Sequence, residues 1–380
     1  MQELDDMADA VVIGAGIAGA SLAAELAGKM RVIMLEMERH PGYHTTGRSA
    51  AVFAPNYGPA GVRSLTRASR AFFDAPPANF ARAPLLTRRD ILMIAREDQT
   101  DPLAELFKEA SVVTSVQMLD AEVLREHQPL LREGYAAAGM LDVGGQDIDV
   151  AALHQGYLRQ FKARGGTLIT DAEVRALLPE GEGWVVEATQ GRFTAPVVVN
   201  AAGAWADLIG RLAQVEAINL VPKRRTAMVV AEPDGFTGRD GPITVDIDEN
   251  FYLKPDAGRL LISPADETPV DPCDVQPDEL DIAICADRIM TAFSLDIRRI
   301  ENKWAGLRSF VADKEPVIGF SKVAPGFFWM AGQGGYGIQS APAAAEMAAA
   351  LVQGLPVPGH IVDHGFDVAR VAPDREALAG

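Results

Sequence analysis

The chain has 380 residues, 48% of them apolar and 23% charged, which are the proportions of an ordinary folded protein and exclude disordered, collagen-like and disulfide-scaffold classes. Its length suits two domains, or one large domain with an elaborate insertion. With 35 basic and 52 acidic residues the formal net charge is −17, a balance that repels phosphate backbones and argues against a nucleic-acid partner.

Two cysteines, Cys273 and Cys285, cannot build a disulfide framework, and no CxxC spacing offers a metal site, so no metal is expected. So low a count suits a reducing compartment. No run of 18 apolar residues suggests a membrane span. The first residues carry Glu3, Asp5 and Asp6 in place of the basic region of a signal peptide. The expected location is the cytoplasm, with peripheral attachment to a membrane through a partner left open.

In chain order, the first informative stretch is Asp9 to Ala20. A short apolar run ending in glycine predicts a buried parallel strand. Ala18 to Leu26 then reads as a helix, and Arg31 to Glu36 as a second strand ending in an acid. Strand, glycine turn, helix and strand within about 30 residues make a βαβ unit. Gly14 permits the tight turn, Gly16 lets backbone approach a pyrophosphate, and Gly19 allows close helix–strand packing. Ile17 and Ala18 open the helix, whose free N–H groups and dipole favour an anion. Glu36 lies 22 positions after Gly14, close to the offset of the ribose-binding acid, and it disfavours a 2′-phosphate. The motif alone does not separate NAD from FAD. His44 to Ala51 is small, polar and basic, the composition of a loop and helix N-terminus lying along a large ligand.

Beyond Ala81, β-like pieces such as Ile91 to Ala95 alternate with helical stretches at Asp101 to Ala110 and Asp120 to Gln128. A turn at Gly145 to Asp149 leads to a helix from Val150 to Arg164. Short strands are predicted at Thr167 to Thr170, Glu173 to Leu178, Gly183 to Ala188 and Gly191 to Ala195. Val197 to Trp205 reads as another buried strand ending in small residues, where open α/β sheets bind ligands. Further strands are predicted at Ala217 to Val221, Arg225 to Ala231, Phe251 to Leu253 and Leu260 to Ser263. Gly326 to Gln339 is a second strand and glycine loop, and Ala341 to Leu351 a long helix after it.

The motif set resembles the D-amino-acid oxidase and glycine oxidase superfamily of FAD-dependent amine dehydrogenases, over nearly the whole chain, and is most similar to its bacterial D-arginine dehydrogenases. It rests on the Gly14–Gly19 fingerprint with Glu36, on residues 41–51, and on Asp147-Ile148-Asp149 with Leu153-His154-Gln155-Gly156-Tyr157. Residues 200–205, 222–225, 251–258, 304–310 and 333–339 complete it. The fold implied is α/β: a Rossmann-like FAD-binding domain of glutathione-reductase type, with a mixed β-sheet substrate domain and flanking helices. The FAD-binding domain would comprise 1–80, 145–215 and 315–380, and the substrate domain 81–144 and 216–314.

The resemblance further implies non-covalent FAD, since both cysteines lie in the substrate domain. It places Thr45, Thr46, Arg48, Ser49, Ala50 and Ala51 along the flavin and Val174 near the adenine. Ala201, Gly203 and Trp205 follow the strand beside it. Gly334, Gly335, Tyr336, Gly337, Ile338 and Gln339 come near the flavin ring and ribityl chain. A substrate carboxylate would be clamped by Arg308, Arg225 and Tyr252, which suits bidentate, charge-assisted recognition. Tyr57 would gate the site, with Gly335 at the reacting end and Gln339 also bordering the substrate.

Two departures carry weight. The relatives' histidine near the substrate amine corresponds to Val52, and their glutamate for the substrate guanidinium to Ile91. A basic side chain in an apolar pocket would be a buried, unpaired charge. The expected reaction is therefore oxidation of a D-amino acid with an apolar or neutral side chain, by hydride transfer to flavin N5, giving an imino acid that hydrolyses to a 2-oxo acid and ammonia. Oxidation of an N-methyl amine or a 2-hydroxy acid is the alternative. Oxygen and a quinone-type electron carrier both stay open as acceptor, and the other expected partner is the small carboxylate-bearing amine.

Overall fold

The computed structural model describes residues 5–378. Val11 and Val12 are apolar and must be covered by other apolar runs, and their strand is flanked by two. The strand Ala10–Ile13 lies between Val32–Leu35 and Val197–Asn200, all parallel and buried. Thr167–Ile169 extends the sheet in parallel at one edge, Phe327–Ala331 continues it at the other, and Val317–Phe320 closes it antiparallel, making six strands. Burial on both faces explains why these strands read as unbroken apolar runs.

One face is covered by the helices Ile17–Leu26, Val150–Ala163 and Gly337–Val352, with Ala60–Asp74 packed outside them. Alanine dominates the contact between Ile17–Leu26 and Gly337–Val352, so the two axes can approach closely. The other face meets a four-stranded sheet, Asp5–Met7, Gly191–Ala195, Gly183–Ala188 and Val174–Glu180, through Trp184, Phe193, Phe327 and Trp329.

A further, eight-stranded sheet runs in the order Ile300–Phe310, Val221–Ala231, Arg259–Ser263, Tyr252–Asp256, Ile243–Asp246, Ile91–Ala95, Ala138–Asp142 and Val116–Asp120. It is antiparallel apart from the Ile243–Asp246 and Ile91–Ala95 pair. Its strands come from two separate stretches of chain, and the helix Glu279–Ala292 packs on the face away from the site through Ile282, Cys285 and Ile289. Among the described residues no helix is long and apolar enough to cross a membrane.

Three expectations change, the first at Gly145 to Asp149, where the expected turn holds the strand Gln146–Ile148, antiparallel to Val52–Phe53 and Leu86–Arg88. Residues 41–48 form successive turns leading to the short strand Val52–Phe53, with no helix start. Ala217 to Leu220 is not a strand: Asn219 has φ +53°, and pairing begins only at Val221, opposite Phe310, where the partner strand ends. From there one strand runs unbroken to Ala231. The helices Ala60–Asp74 and Glu279–Ala292 were not anticipated.

The close packing at the first turn is testable. A Cβ at Gly14, which has φ +99°, would lie 2.5 Å from the Ala201 carbonyl oxygen, and one at Gly19 would overlap the Gly14 carbonyl oxygen. These are backbone neighbours that cannot rotate away. Gly19→Ala should lower the unfolding free energy by at least about 1–3 kcal/mol, the cost of overpacking; equilibrium urea unfolding at wild-type stability would refute this.

Candidate active site

The site begins at the first glycine turn. Glu36, buried at the end of Val32–Leu35, folds back so that one carboxylate oxygen accepts the Ala15 N–H (2.8 Å) and the other the Glu38 N–H (3.0 Å). Burial pushes its pKa up; the bonds from Glu38 and Ala15 oppose the rise. The Ile17 N–H, at the start of the helix, donates to Thr46 Oγ1 at 3.0 Å. The 41–51 segment is thereby tied to the helix N-terminus.

Its other side is bolted to the strand Ile300–Phe310. Thr45 Oγ1 donates to the Leu307 carbonyl (2.8 Å), and Arg48 Nη1 to the carbonyls of Ala305 (3.0 Å) and Val275 (3.2 Å). Arg48 also pairs with Asp274, and the Trp304 indole N–H donates to the Arg48 carbonyl at 2.9 Å. Polar segments with no regular ladder must satisfy their backbone this way.

A cavity of about 320 Å³ runs from Gly16, Ile17 and Ala18, along Thr45, Thr46, Arg48, Ser49, Ala50 and Ala51, to the eight-stranded sheet. Ala201 and Gly203 line it from the neighbouring strand end. Gly334, Gly335, Gly337, Ile338 and Gln339 line it from the second glycine loop. Six predicted residues stand outside its wall. Gly14 and Gly19 serve backbone packing, and Glu36 holds Ala15. The Trp205 ring packs on His44 (4.7 Å between centroids), and Tyr336 lies against Tyr57 (5.1 Å) and Phe310 (6.0 Å). Val174 packs against the core beneath the six-stranded sheet.

At the sheet end, antiparallel register sets Arg308 opposite Lys223 and Gly306 opposite Arg225. Arg225 and Arg308 are thus diagonal neighbours on one face, within reach of each other's long side chains. Arg225 is nearly buried: its Nε donates to the Asp266 carbonyl at 3.0 Å and one terminal nitrogen to Glu267 at 3.3 Å. Burial, and then the like charge of Arg308, lower its pKa. Arg308 has no carboxylate partner among the described residues; its one hydrogen bond goes to the Tyr57 hydroxyl, at 3.4 Å. That hydroxyl donates in turn to Glu249 at 3.3 Å. Burial raises the pKa of Tyr57, against the pull of Arg308, so the phenol is neutral at ordinary pH. The carbon of the Arg308 guanidinium would lie 2.5 Å from a Cβ at position 335, so a side chain there would displace the guanidinium.

Tyr252, Val52 and Ile91 line the same cavity, with Met93, Met140, Ile243 and Val245 beside them. Alternation along each strand puts these side chains on the cavity face and Leu92, Ile94 and Leu141 in the core behind. Two acids also line it, Glu249 and Asp142. Asp142 is the direct cross-strand partner of Ile91. Its oxygens accept from Asn56 Nδ2 and the Gly144 N–H, both at 2.8 Å. Positions 52 and 91 are apolar as expected, but the cavity is not free of carboxylates. Neither acid stood out in sequence; the alternation of Ile243 and Val245 marked the wall only once register was known.

Ser309 Oγ, Gln333 Nε2 and Gln339 Nε2 are buried along this cavity and have no partner among the described residues. Gln339 is only 3% exposed, and its Oε1 accepts the Ala54 N–H at 2.9 Å. Unsatisfied buried donors converging on one cavity mark a place where a polar ligand completes the bonding.

Comparison with known proteins gives the family. The sequence model of the family described as DAO, FAD dependent oxidoreductase, matches residues 9–351. Human mitochondrial dimethylglycine dehydrogenase is 25% identical over 273 residues, 68% of this chain and 30% of that protein. The chain therefore spans less than a third of that relative. The L-2-hydroxyglutarate dehydrogenase of Escherichia coli (strain K12) is 25% identical over 223 residues, 55% of this chain and 51% of its own length. Glycine oxidase of Geobacillus kaustophilus is 24% identical over 370 residues, 91% of this chain and 93% of that protein. The crystal structure of a Geobacillus kaustophilus glycine oxidase superposes with a TM-score of 0.85, covering 98% of this chain and 99% of that one at 23% identity.

Gly335→Ala tests the geometry around the guanidinium. It should weaken acetate binding at least about tenfold, the loss of roughly one charge-assisted hydrogen bond, read from the acetate-dependent rise in melting temperature. The unliganded protein should melt much as the wild type does. Unchanged acetate binding would contradict the contact.

Proposed function

The chain belongs to the FAD-dependent oxidoreductase family, and on that premise we propose that it oxidises the Cα–N bond of a D-amino acid whose side chain is apolar or neutral. The imino acid so formed is hydrolysed to a 2-oxo acid and ammonia. The observation that carries this reading is Arg308, a guanidinium without a carboxylate partner among the described residues, at one end of a cavity whose other walls are largely Ile91, Met93, Met140, Ile243 and Val245.

The residues present fit FAD. The buried donors of Gln333, Gln339 and Ser309 along the cavity lack partners among the described residues. Gly16, Ile17 and Ala18 would hold the pyrophosphate at a helix N-terminus, with Glu36 on the ribose side. Thr45 to Ala51 and Gly335 to Gln339 would flank the ring and ribityl chain. In this reading residues 1–80, 145–215 and 315–380 bind the cofactor, and 81–144 and 216–314 the substrate. When bound, FAD supplies a two-electron acceptor, and oxygen or an electron carrier takes those electrons away.

The chain's own residues position the substrate. Arg308 takes the carboxylate, Arg225 offers the guanidinium edge left free by Glu267, and Tyr252 borders the same space. A clamp of this kind fixes the direction of the Cα–H and so lowers the entropic part of the barrier. The Tyr57 hydroxyl, already bonded to Arg308, closes the carboxylate end against water. With Val52 lining the cavity in place of a titratable side chain, no side-chain base beside the amine is required, provided the amine enters neutral.

A second reading, a side chain with a polar or cationic tip, is favoured by the buried Asp142 beside Ile91. Both Asp142 oxygens are already bonded to neutral donors, so the apolar reading stands first. The names of the relatives favour a third, a tertiary or N-methyl amine or a 2-hydroxy acid in place of the primary amine.

Anaerobic mixing of the FAD-loaded protein with a substrate panel separates them. D-leucine, D-methionine or D-phenylalanine should bleach the flavin, and D-arginine should not. Bleaching by D-arginine alone would overturn the apolar reading in favour of Asp142. Formaldehyde release from sarcosine, or bleaching by 2-hydroxyglutarate alone, would overturn primary-amine chemistry.

A further inference from the structure

One sequence block, Leu153-His154-Gln155-Gly156-Tyr157, takes no part in the site just described. His154 lies in the helix Val150–Ala163, is 4% exposed and does not line the cavity of Arg308. Its Nε2 stands 2.8 Å from the Ala15 carbonyl oxygen, inside the first glycine turn. A carbonyl only accepts, so Nε2 carries the proton and Nδ1 is the acceptor nitrogen. The ring is held in place by Gly42, where a Cβ would lie 2.8 Å from the ring carbon Cε1.

We propose that His154 is a positioning residue for the cofactor's phosphates, acting through the Ala15 carbonyl. Ala15 is gripped at both ends by side chains from elsewhere in the chain: Glu36 takes its N–H at 2.8 Å, and His154 bonds its carbonyl. A trans peptide points its C=O and N–H in opposite directions. Anchoring the Ala15 carbonyl on His154 therefore turns the Gly16 N–H the other way, and Gly16 lines the cavity. The Gly16 N–H makes no hydrogen bond among the described residues. Together with Thr46 on the Ile17 N–H, His154 and Glu36 fix a turn that glycines alone would leave free to reorient. His154 thus serves FAD without touching it. The inference rests on the placement of the pyrophosphate at Gly16 to Ala18.

The test is FAD affinity of the apoprotein, read from quenching of FAD fluorescence, alongside the apoprotein melting temperature. His154→Gln places an amide nitrogen where Nε2 stands, whereas His154→Asn places one where Nδ1 stands and leaves Ala15 without a donor. His154→Asn and His154→Leu should bind FAD about tenfold more weakly, the effect of stranding a buried carbonyl, and His154→Gln should stay within about threefold of wild type. Should the leucine variant fail to fold, the asparagine and glutamine pair still decides. Wild-type affinity in His154→Asn, or equal loss in His154→Gln, would overturn the proposal. So would an affinity loss in His154→Asn matched by an equal loss of apoprotein stability relative to His154→Gln. Gly16→Val serves as control: if it binds FAD normally, the placement of the phosphates is wrong and the proposal falls with it. If it loses FAD while the histidine variants do not, only the role of His154 falls.

Discussion

Arg308 carries a positive charge into a cavity with largely apolar walls, and no carboxylate among the described residues closes on it. Desolvating a charge without a partner is costly, and ordinary folding would have paired it. Its neighbours are instead arranged to keep it available. Glu267 is engaged by Lys223 and Arg225, and Asp266 by Arg224 and Thr226. Glu249 reaches it only through the Tyr57 hydroxyl. The position left empty by Gly335 gives the guanidinium room. A cation left without a carboxylate among the described residues suits an anion from solution, and we propose that this anion is the substrate's carboxylate.

That charge stands along the cavity from the first glycine turn, and the 41–51 segment links the two. Thr46 is bonded to the helix start at Ile17, while Thr45 and Arg48 are bonded to the strand that carries Arg308. Few of these contacts are regular secondary structure, so they come almost wholly from side chain to backbone. The separation of the two ends of the site is therefore set by a handful of hydrogen bonds along one irregular segment, supported from behind by His154 against Gly42.

Much of this was legible in sequence where chemistry is local. The strand, glycine turn and helix of residues 10–26 could be read because a buried parallel strand and a tight turn each restrict residue type strongly. Gly183–Ala188 and Gly191–Ala195 fell where turn signals put them. What failed depended on distant partners. Val221 starts its strand because Phe310 ends the opposing one, and no local feature announces that. Asp142 meets Ile91 through a ladder between segments about 50 residues apart, so reading position 91 alone missed the acid beside it. Glu249 sits in a turn with φ +54°, whose sequence, Asp-Glu-Asn, looks like any solvated loop. Ala60–Asp74, by contrast, was legible: Val62, Leu65, Ala68 and Phe73 are buried at helical spacing with Arg63, Arg67 and Arg70 on the other side.

The most direct measurement compares two isosteres of leucine without its amine, 4-methylpentanoate and 4-methylpentanamide, by their perturbation of the bound flavin spectrum. If Arg308 is a carboxylate clamp, the acid binds the wild-type protein at least about a hundredfold more tightly than the amide, the size of a charge-assisted bidentate pair. Arg308→Met should then erase most of that preference while the protein keeps its FAD. Equal binding of acid and amide by the wild type, or a preference that survives Arg308→Met, would contradict the account.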